Sequence, residues 1–232
     1  MISTDAQGPR RPPRLLGSIT SLDPLDLAGD VRRLVAAGVD GLHLDVCDGR
    51  FVPFLTFGPR VCKAIRRIVD VPIDIHLMVT DPEVYLREIA EMGAARVSFH
   101  VEATRHPWRV CSLIRGLGLE VAVAANPVTP VEVIASVGRS ADCVHLLAAD
   151  HDFDGDRPLA HMADRVALVR EALPDTVRLE LDGGIDSSNV RRFVLAGVDD
   201  VVVGRAICGQ ADWTEAVARL RGAMSVLGPD QQ

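Results

Sequence analysis

The sequence predicts one α/β domain folded as a (β/α)8 TIM barrel, and three observations lead there: chain length, an aliphatic composition, and a helix–glycine–strand plan that recurs. The chain has 232 residues, within the ~200 to 250 that one such barrel commonly uses. It is 48% apolar, 25% charged and only 4% aromatic, which fits an aliphatic α/β core and argues against disorder. The recurring plan begins at Gly38 (GVDGLHLDV), Gly93 (GAARVSFHV) and Gly197 (GVDDVVVGR). Each time a helical stretch closes on glycine, which suits the left-handed turn ending a helix, and a β-branched run follows.

Spacing gives the count. The three glycines lie 55 and 104 residues apart, which divide into two and four units of roughly 26 to 28 residues, the size of a βα unit. Eight units nearly use up the chain. The strands are expected, in order, at Leu15–Thr20, Asp40–Val46, Pro72–Leu77, Arg96–Val101, Glu120–Ala125, Asp142–Ala148, Val177–Leu181 and Asp199–Val203, each followed by a helix-like segment. A doubly wound open sheet is the alternative, but its G-x-G-x-x-G fingerprint is missing from every expected strand-to-helix turn. The barrel is expected over residues 15–225. A Pro/Arg-rich leader, 1–14, reads as a flexible extension and 226–232 as a tail.

A net charge of −7 and a pI near 5.5 give no reason to expect nucleic acid or an anionic membrane as partner. No apolar run reaches the ~18 residues of a membrane span, and the leader lacks the apolar stretch of a signal peptide, so a cytoplasmic protein is expected. The five cysteines, Cys47, Cys62, Cys111, Cys143 and Cys208, show no C-x-x-C spacing, which suits reduced thiols.

In such a barrel the chemistry belongs at the C-terminal ends of the strands. His43, Asp45 and Cys47 share one parity on the second strand, and Asp74, His76 and Met78 share one on the third, so period-two geometry sends each set to one face. Asp182 ends the seventh strand before Gly183 and Gly184. Two histidines and two carboxylates near strand ends can converge on one divalent ion, since imidazole nitrogen and carboxylate oxygen suit zinc, iron or manganese. Against this stands the commoner fate of a strand histidine, a hydrogen-bonded core residue.

Ser18-Ile19 on the first strand, the run from His43-Leu-Asp45-Val-Cys47-Asp48-Gly49 through Phe51-Val52-Pro53 to Thr56-Phe57-Gly58-Pro59, and Asp74-Ile-His76-Leu77-Met78-Val79 resemble successive motifs of ribulose-phosphate 3-epimerase. His100-Val-Glu102, Asn126-Pro127 and Asp182-Gly183-Gly184-Ile185 continue the likeness, in order, from about Ser18 to Leu220. The resemblance implies a ribulose-phosphate-binding type of barrel and a homo-oligomer. It implies one divalent ion (Zn, Fe, Mn or Co) held by His43, Asp45, His76 and Asp182. It also implies that Asp45 and Asp182 carry protons, since inverting a carbon beside a ketone needs a proton removed on one face and returned on the other. The implied substrate is a sugar or sugar phosphate, with Ser18, Met78, Gly183, Gly184, Gly204 and Arg205 in its binding site.

The sequence also departs from that family. Cys47 and Leu147 stand where two of its methionines line the site; small apolar lining is the reading favoured for Cys47, with a metal-bound or oxidisable thiol as the other. In place of the glycine-rich N-P-G-F-G-G-Q loop over the substrate phosphate, the chain reads Asp150-His151-Asp152-Phe153-Asp154-Gly155-Asp156. Its aspartates either face solvent or oppose a phosphate. The eighth strand ends Val203-Gly204-Arg205-Ala206-Ile207, with arginine where the epimerases carry serine. This version resembles orotidine-phosphate decarboxylase and hexulose-phosphate synthase, in which that arginine contacts phosphate. Arg205 is therefore expected either to bind an anion or to pair with a nearby aspartate.

Three other functions compete. One is an epimerase of an unphosphorylated or modified sugar. A second is a lyase on the same barrel, disfavoured because Lys63 is the only lysine and falls on the expected second helix, away from any strand end. A third is a barrel that binds without catalysing.

Overall fold

A computed structural model describes residues 12–149 and 159–225. Eight parallel strands close into a barrel in sequence order: β1 Arg14–Ser18, β2 Gly41–Cys47, β3 Ile73–Met78, β4 Arg96–His100, β5 Glu120–Ala125, β6 Cys143–Leu147, β7 Arg178–Asp182 and β8 Asp200–Val203. Helices alternate with them, from Leu27–Ala36 after β1 to Trp213–Met224 after β8. The expected fold class is thereby met. Among the described residues no helix is long and apolar enough to cross a membrane.

The glycine signal behind the strand count has the geometry it demands: Gly38, Gly93 and Gly197 have φ of +98°, +77° and +119°, where a side chain would be strained. Two expected strands run on into 3-10 turns. β1 stops at Ser18, and Ile19–Ser21 form a 3-10 turn; β4 stops at His100, before a similar turn at Val101–Ala103. The first turn has a reason, because it lets Thr20 Oγ1 donate to Asp45 Oδ2 at 2.6 Å. The acidic loop Asp150–Asp156, most of the leader and the tail 226–232 lie outside the described residues.

Strand residues divide by parity into two environments. One set, including Leu42 and Leu44 on β2, Ile75 and Leu77 on β3, and Val121 and Val123 on β5, is buried with Leu34, Ile114, Val166 and Phe193 of the surrounding helices in one apolar core. Removing this surface from water is the main stabilisation of the fold. The opposite set faces the barrel axis and is largely polar, with small or apolar residues such as Ala122, Ala124 and Leu147 among it. Arg96 of β4 reaches Asp200 of β8 at 3.0 Å and also Glu180 of β7; strands that are not neighbours can touch only through the interior. A barrel of this kind ordinarily fills that space with Val, Ile and Leu. Here the buried polar residues of the strands, Ser18, His43, Asp45, Asp74, His76, Arg96, Ser98, His100, His145, Glu180 and Asp200, fill much of it with polar and ionisable groups.

Candidate active site

At the N-terminal ends of the strands the interior is a closed salt-bridge layer. Arg96 grips Asp74 with two bonds, Nε to Oδ1 at 3.0 Å and Nη2 to Oδ2 at 2.9 Å, and binds Glu180 and Asp200 with its remaining donors. Arg14 and Arg178 both donate to Asp200. Three guanidinium groups thus meet three carboxylates. The arginine contacts hold Asp200 down to about 2 against the effect of burial, and burial pushes Glu180 up to about 8 in spite of Arg96.

The next layer toward the C-terminal ends holds the histidines. His43 Nδ1 lies 3.0 Å from Asp74 Oδ2, so its N–H points down at the salt-bridge layer and Nε2 points up. There Nε2 faces Asp45 Oδ1 at 3.3 Å and Asp182 Oδ2 at 4.0 Å. His76 is oriented from the side: Glu102 Oε2 lies 3.1 Å from His100 Nδ1, and His100 Nε2 lies 2.9 Å from His76 Nε2. A proton on His100 Nδ1 for Glu102 makes His100 Nε2 an acceptor, so His76 donates from Nε2. His76 Nδ1 then presents its lone pair to Asp45 Oδ1 at 3.1 Å.

The His76 Nδ1 lone pair aimed at a carboxylate oxygen is repelled unless a cation, either a metal ion or the His43 Nε2 proton, lies among these groups. Tetrahedral zinc-type coordination sets nitrogen and oxygen ligands about 3.3 to 3.5 Å apart, close to the 3.3 and 3.1 Å from Asp45 Oδ1 to the two imidazoles, with Asp182 farther at 4.0 Å. Without such an ion the charge balance falls to His43, whose Nε2 proton a bound ion would displace. Burial works against charge on His43, yet Asp45 and Asp74 outweigh it and hold the imidazole well above its ordinary range. Asp45 is held well below the carboxylate range, in spite of burial, chiefly by His43. Burial, reinforced by neighbouring histidines, keeps His76 and His145 well below the imidazole range, in the neutral form a metal needs. The donor set fits a divalent ion.

Above this layer opens a cavity of about 370 Å³ bordered by Ser18, Asp45, Asp182, Gly183, Gly184, Gly204 and Arg205. Seven of the ten residues expected from sequence therefore border it, and His43 and His76 lie buried beneath with their nitrogens at Asp45. Met78 ends β3, fully buried beside Cys47, and is not among the residues bordering the cavity; Leu147 is. Burial pushes the Cys47 thiol up to about 12, which keeps it a thiol and favours the apolar-lining reading. A Cβ at Gly204 would fall 2.1 Å from Ser21 Oγ, so a side chain there would force Ser21 to move. Arg205 is exposed, and its guanidinium has no hydrogen bond or ion pair among the described residues.

The long motif after β2 works as a brace. Asp48 accepts from the backbone of Arg50, Phe51 and Thr80, which holds it at about 2 against its slight burial. The loop returns so that Thr56 Oγ1 donates to the Asp45 carbonyl at 2.5 Å, and Phe51 packs on His100 at 4.6 Å between ring centroids. Asp45 and His100 are thereby held by the loop after β2.

Sequence reasoning missed His145, Glu180, Arg96 and Thr20. Parity would have found the first three: His145 shares a face with Leu147 on β6, Glu180 with Asp182 on β7, and Arg96 with His100 on β4. Register sets His145 opposite Glu180 and Asp74 opposite Arg96.

A family model described as the ribulose-phosphate 3 epimerase family matches residues 14–208. Ribulose-phosphate 3-epimerase of Bacillus subtilis (strain 168) is 33% identical over 210 residues, 89% of this chain and 97% of that protein. The Serratia marcescens protein of the same name is 37% identical, covering 84% and 95%. Among solved structures, orotidine 5'-phosphate decarboxylase from Pyrococcus horikoshii OT3 superposes with a TM-score of 0.69 at 15% identity, covering 90% of this chain and 98% of that one. 3-Hexulose-6-phosphate synthase from Salmonella typhimurium gives 0.69 at 22%, covering 91% and 98%. These two likenesses speak for the fold alone.

Proposed function

The chain belongs to the ribulose-phosphate 3-epimerase family and is an isomerase of the epimerase class acting on carbohydrates, and from that premise we propose that it inverts the carbon beside the ketone of a pentulose 5-phosphate. The observation that carries this is the pair of carboxylates at the barrel mouth: Asp45 and Asp182 come from β2 and β7, face His43 Nε2 at 3.3 and 4.0 Å, and both border the cavity. A carbon seated between them has one carboxylate on each face. One takes the α-proton and the other returns a proton to the opposite face, the two-base requirement of inversion. Thr20 Oγ1 donates to Asp45 Oδ2 and fixes which oxygen faces the substrate. Leu147 supplies an apolar wall that limits water around the charged intermediate.

His43, Asp45, His76 and Asp182 would hold a divalent ion, and such an ion supplies Lewis-acid stabilisation of the negative charge that develops on the substrate oxygens. Gly183, Gly184, Gly204 and Arg205 border one side of the cavity, and there Arg205, an exposed guanidinium with no partner among the described residues, suits the phosphate.

The test is turnover of a pentulose 5-phosphate in deuterated water. Inversion of the carbon beside the ketone with solvent deuterium arriving at that carbon is expected. No turnover of any phosphorylated ketose, alongside turnover of an unphosphorylated one, would transfer the assignment to the latter substrate class.

A further inference from the structure

We propose that His145 is a further ligand of the divalent ion, so that the centre carries three imidazoles. This deepens the metal-dependent reading above and rests on it. His145 and His43 are built alike. His43 Nδ1 is tied to Asp74 at 3.0 Å and His145 Nδ1 to Glu180 at 2.5 Å, and Arg96 grips both carboxylates from below. The two rings stack, 5.2 Å apart at 24°, and His145 lies 4.3 Å from His76 between centroids.

Tying down Nδ1 leaves Nε2. Among the described residues four buried side-chain atoms have no hydrogen-bond partner, and the only two imidazole nitrogens in that set are His43 Nε2 and His145 Nε2. A buried nitrogen without a partner is unfavourable, and no described residue supplies one for His145 Nε2. One ligand atom from each of His43, His76, His145 and Asp182 lies within 4.8 Å of the others, so a single ion can reach all four. A carboxylate behind an imidazole, holding its tautomer and leaving the far nitrogen for metal, is how protein metal sites orient histidine. His145 has that arrangement and belongs to none of the roles derived so far.

The chemical consequence is a nitrogen-rich site. Imidazole favours zinc, cobalt, nickel and iron over magnesium, which prefers oxygen. The site is accordingly expected to select a transition metal and to hold it through dialysis.

The test uses cobalt(II) loaded into the whole protein, because cobalt shifts the N–H protons of ligating histidines far outside the ordinary NMR range. Three solvent-exchangeable shifted resonances are expected, one per imidazole. Two would overturn the role of His145 while leaving the metal centre itself standing. His145→Leu is expected to remove one resonance, change the visible cobalt spectrum and weaken cobalt binding by roughly 100-fold or more. The wild-type count answers even if that variant fails to fold, and a variant with unchanged spectrum and affinity would also refute the proposal. No cobalt bound by wild type would refute both this inference and the metal-dependent reading beneath it.

Discussion

The two polar layers inside the barrel are built from similar residue types to opposite ends. In the lower one, Arg14, Arg96 and Arg178 satisfy Asp74, Glu180 and Asp200, and each guanidinium is spent on a carboxylate. In the upper one, His43 Nε2 and His145 Nε2 are left bare, and His43 and His76 crowd one oxygen of Asp45. A saturated network does nothing but hold shape; an unsaturated one of the same depth is held open for something to bind. The lower layer is also what makes the upper one possible, since Asp74 and Glu180 belong to both. Changes above should therefore remove function at little cost to stability, and changes below should do the reverse first.

The largest effect is expected in the upper layer. Asp45→Asn and Asp182→Asn should each lower the rate constant for epimerisation by roughly 10²- to 10⁴-fold, the range for losing a general acid or base, with the thermal midpoint nearly unchanged. Undiminished turnover in either variant would exclude that aspartate from proton transfer. Arg96→Leu should give the mirror result. Two buried carboxylates lose their partner, which costs about 3 to 5 kcal/mol and, at this chain length, lowers the melting temperature by about 10 °C. A drop in activity with no change in melting would break the division between the layers.

Two smaller effects sharpen it at the rim and the flank. Arg205→Ala should raise KM for a phosphorylated ketose by about 2 to 3 kcal/mol, roughly 30- to 150-fold, with kcat less affected. Replacing Asp152 and Asp154 by glycine should improve use of the phosphate ester if those side chains face it. A phosphate preference that survives Arg205→Ala would remove the arginine from recognition. At the flank, burial opposes charge on Glu102, but His100, Thr129 and the Asn126 amide hold it at about 2 from an ordinary 4.5. A depressed folded-state value contributes stability above about pH 4.5 that is lost as pH falls toward 2. Glu102→Gln should cost about 2 kcal/mol at neutral pH and flatten the acid limb of the stability profile over that window. An unchanged limb would mean that Glu102 is not what steadies His100 and His76.

Much of this was legible in the sequence, though unevenly. The glycines at helix ends carried the strand count because only a positive φ closes those turns, and Asp45 and His76 were visible because parity and motif agree there. What stayed hidden depends on reaching across the axis. Nothing local in Arg96 says that it meets Glu180 and Asp200, 84 and 104 residues away; closure of the barrel brings them together. His145 was obscured differently, since its strand reads as an apolar run, Cys143-Val-His145-Leu-Leu147, in which one histidine looks like core. Thr20 was assigned to a strand because a 3-10 turn formed for a single hydrogen bond leaves no periodic mark.

Metal content tests the account most directly. Purified wild-type protein should carry about one divalent ion per chain, and His43→Ala should carry essentially none while keeping a cooperative thermal transition. Stripping wild type with a chelator should abolish epimerisation, and returning the ion should restore it. A stripped protein that still epimerises at the full rate, or a His43→Ala protein that keeps its ion, would contradict the central claim that the open layer of the barrel is a metal centre.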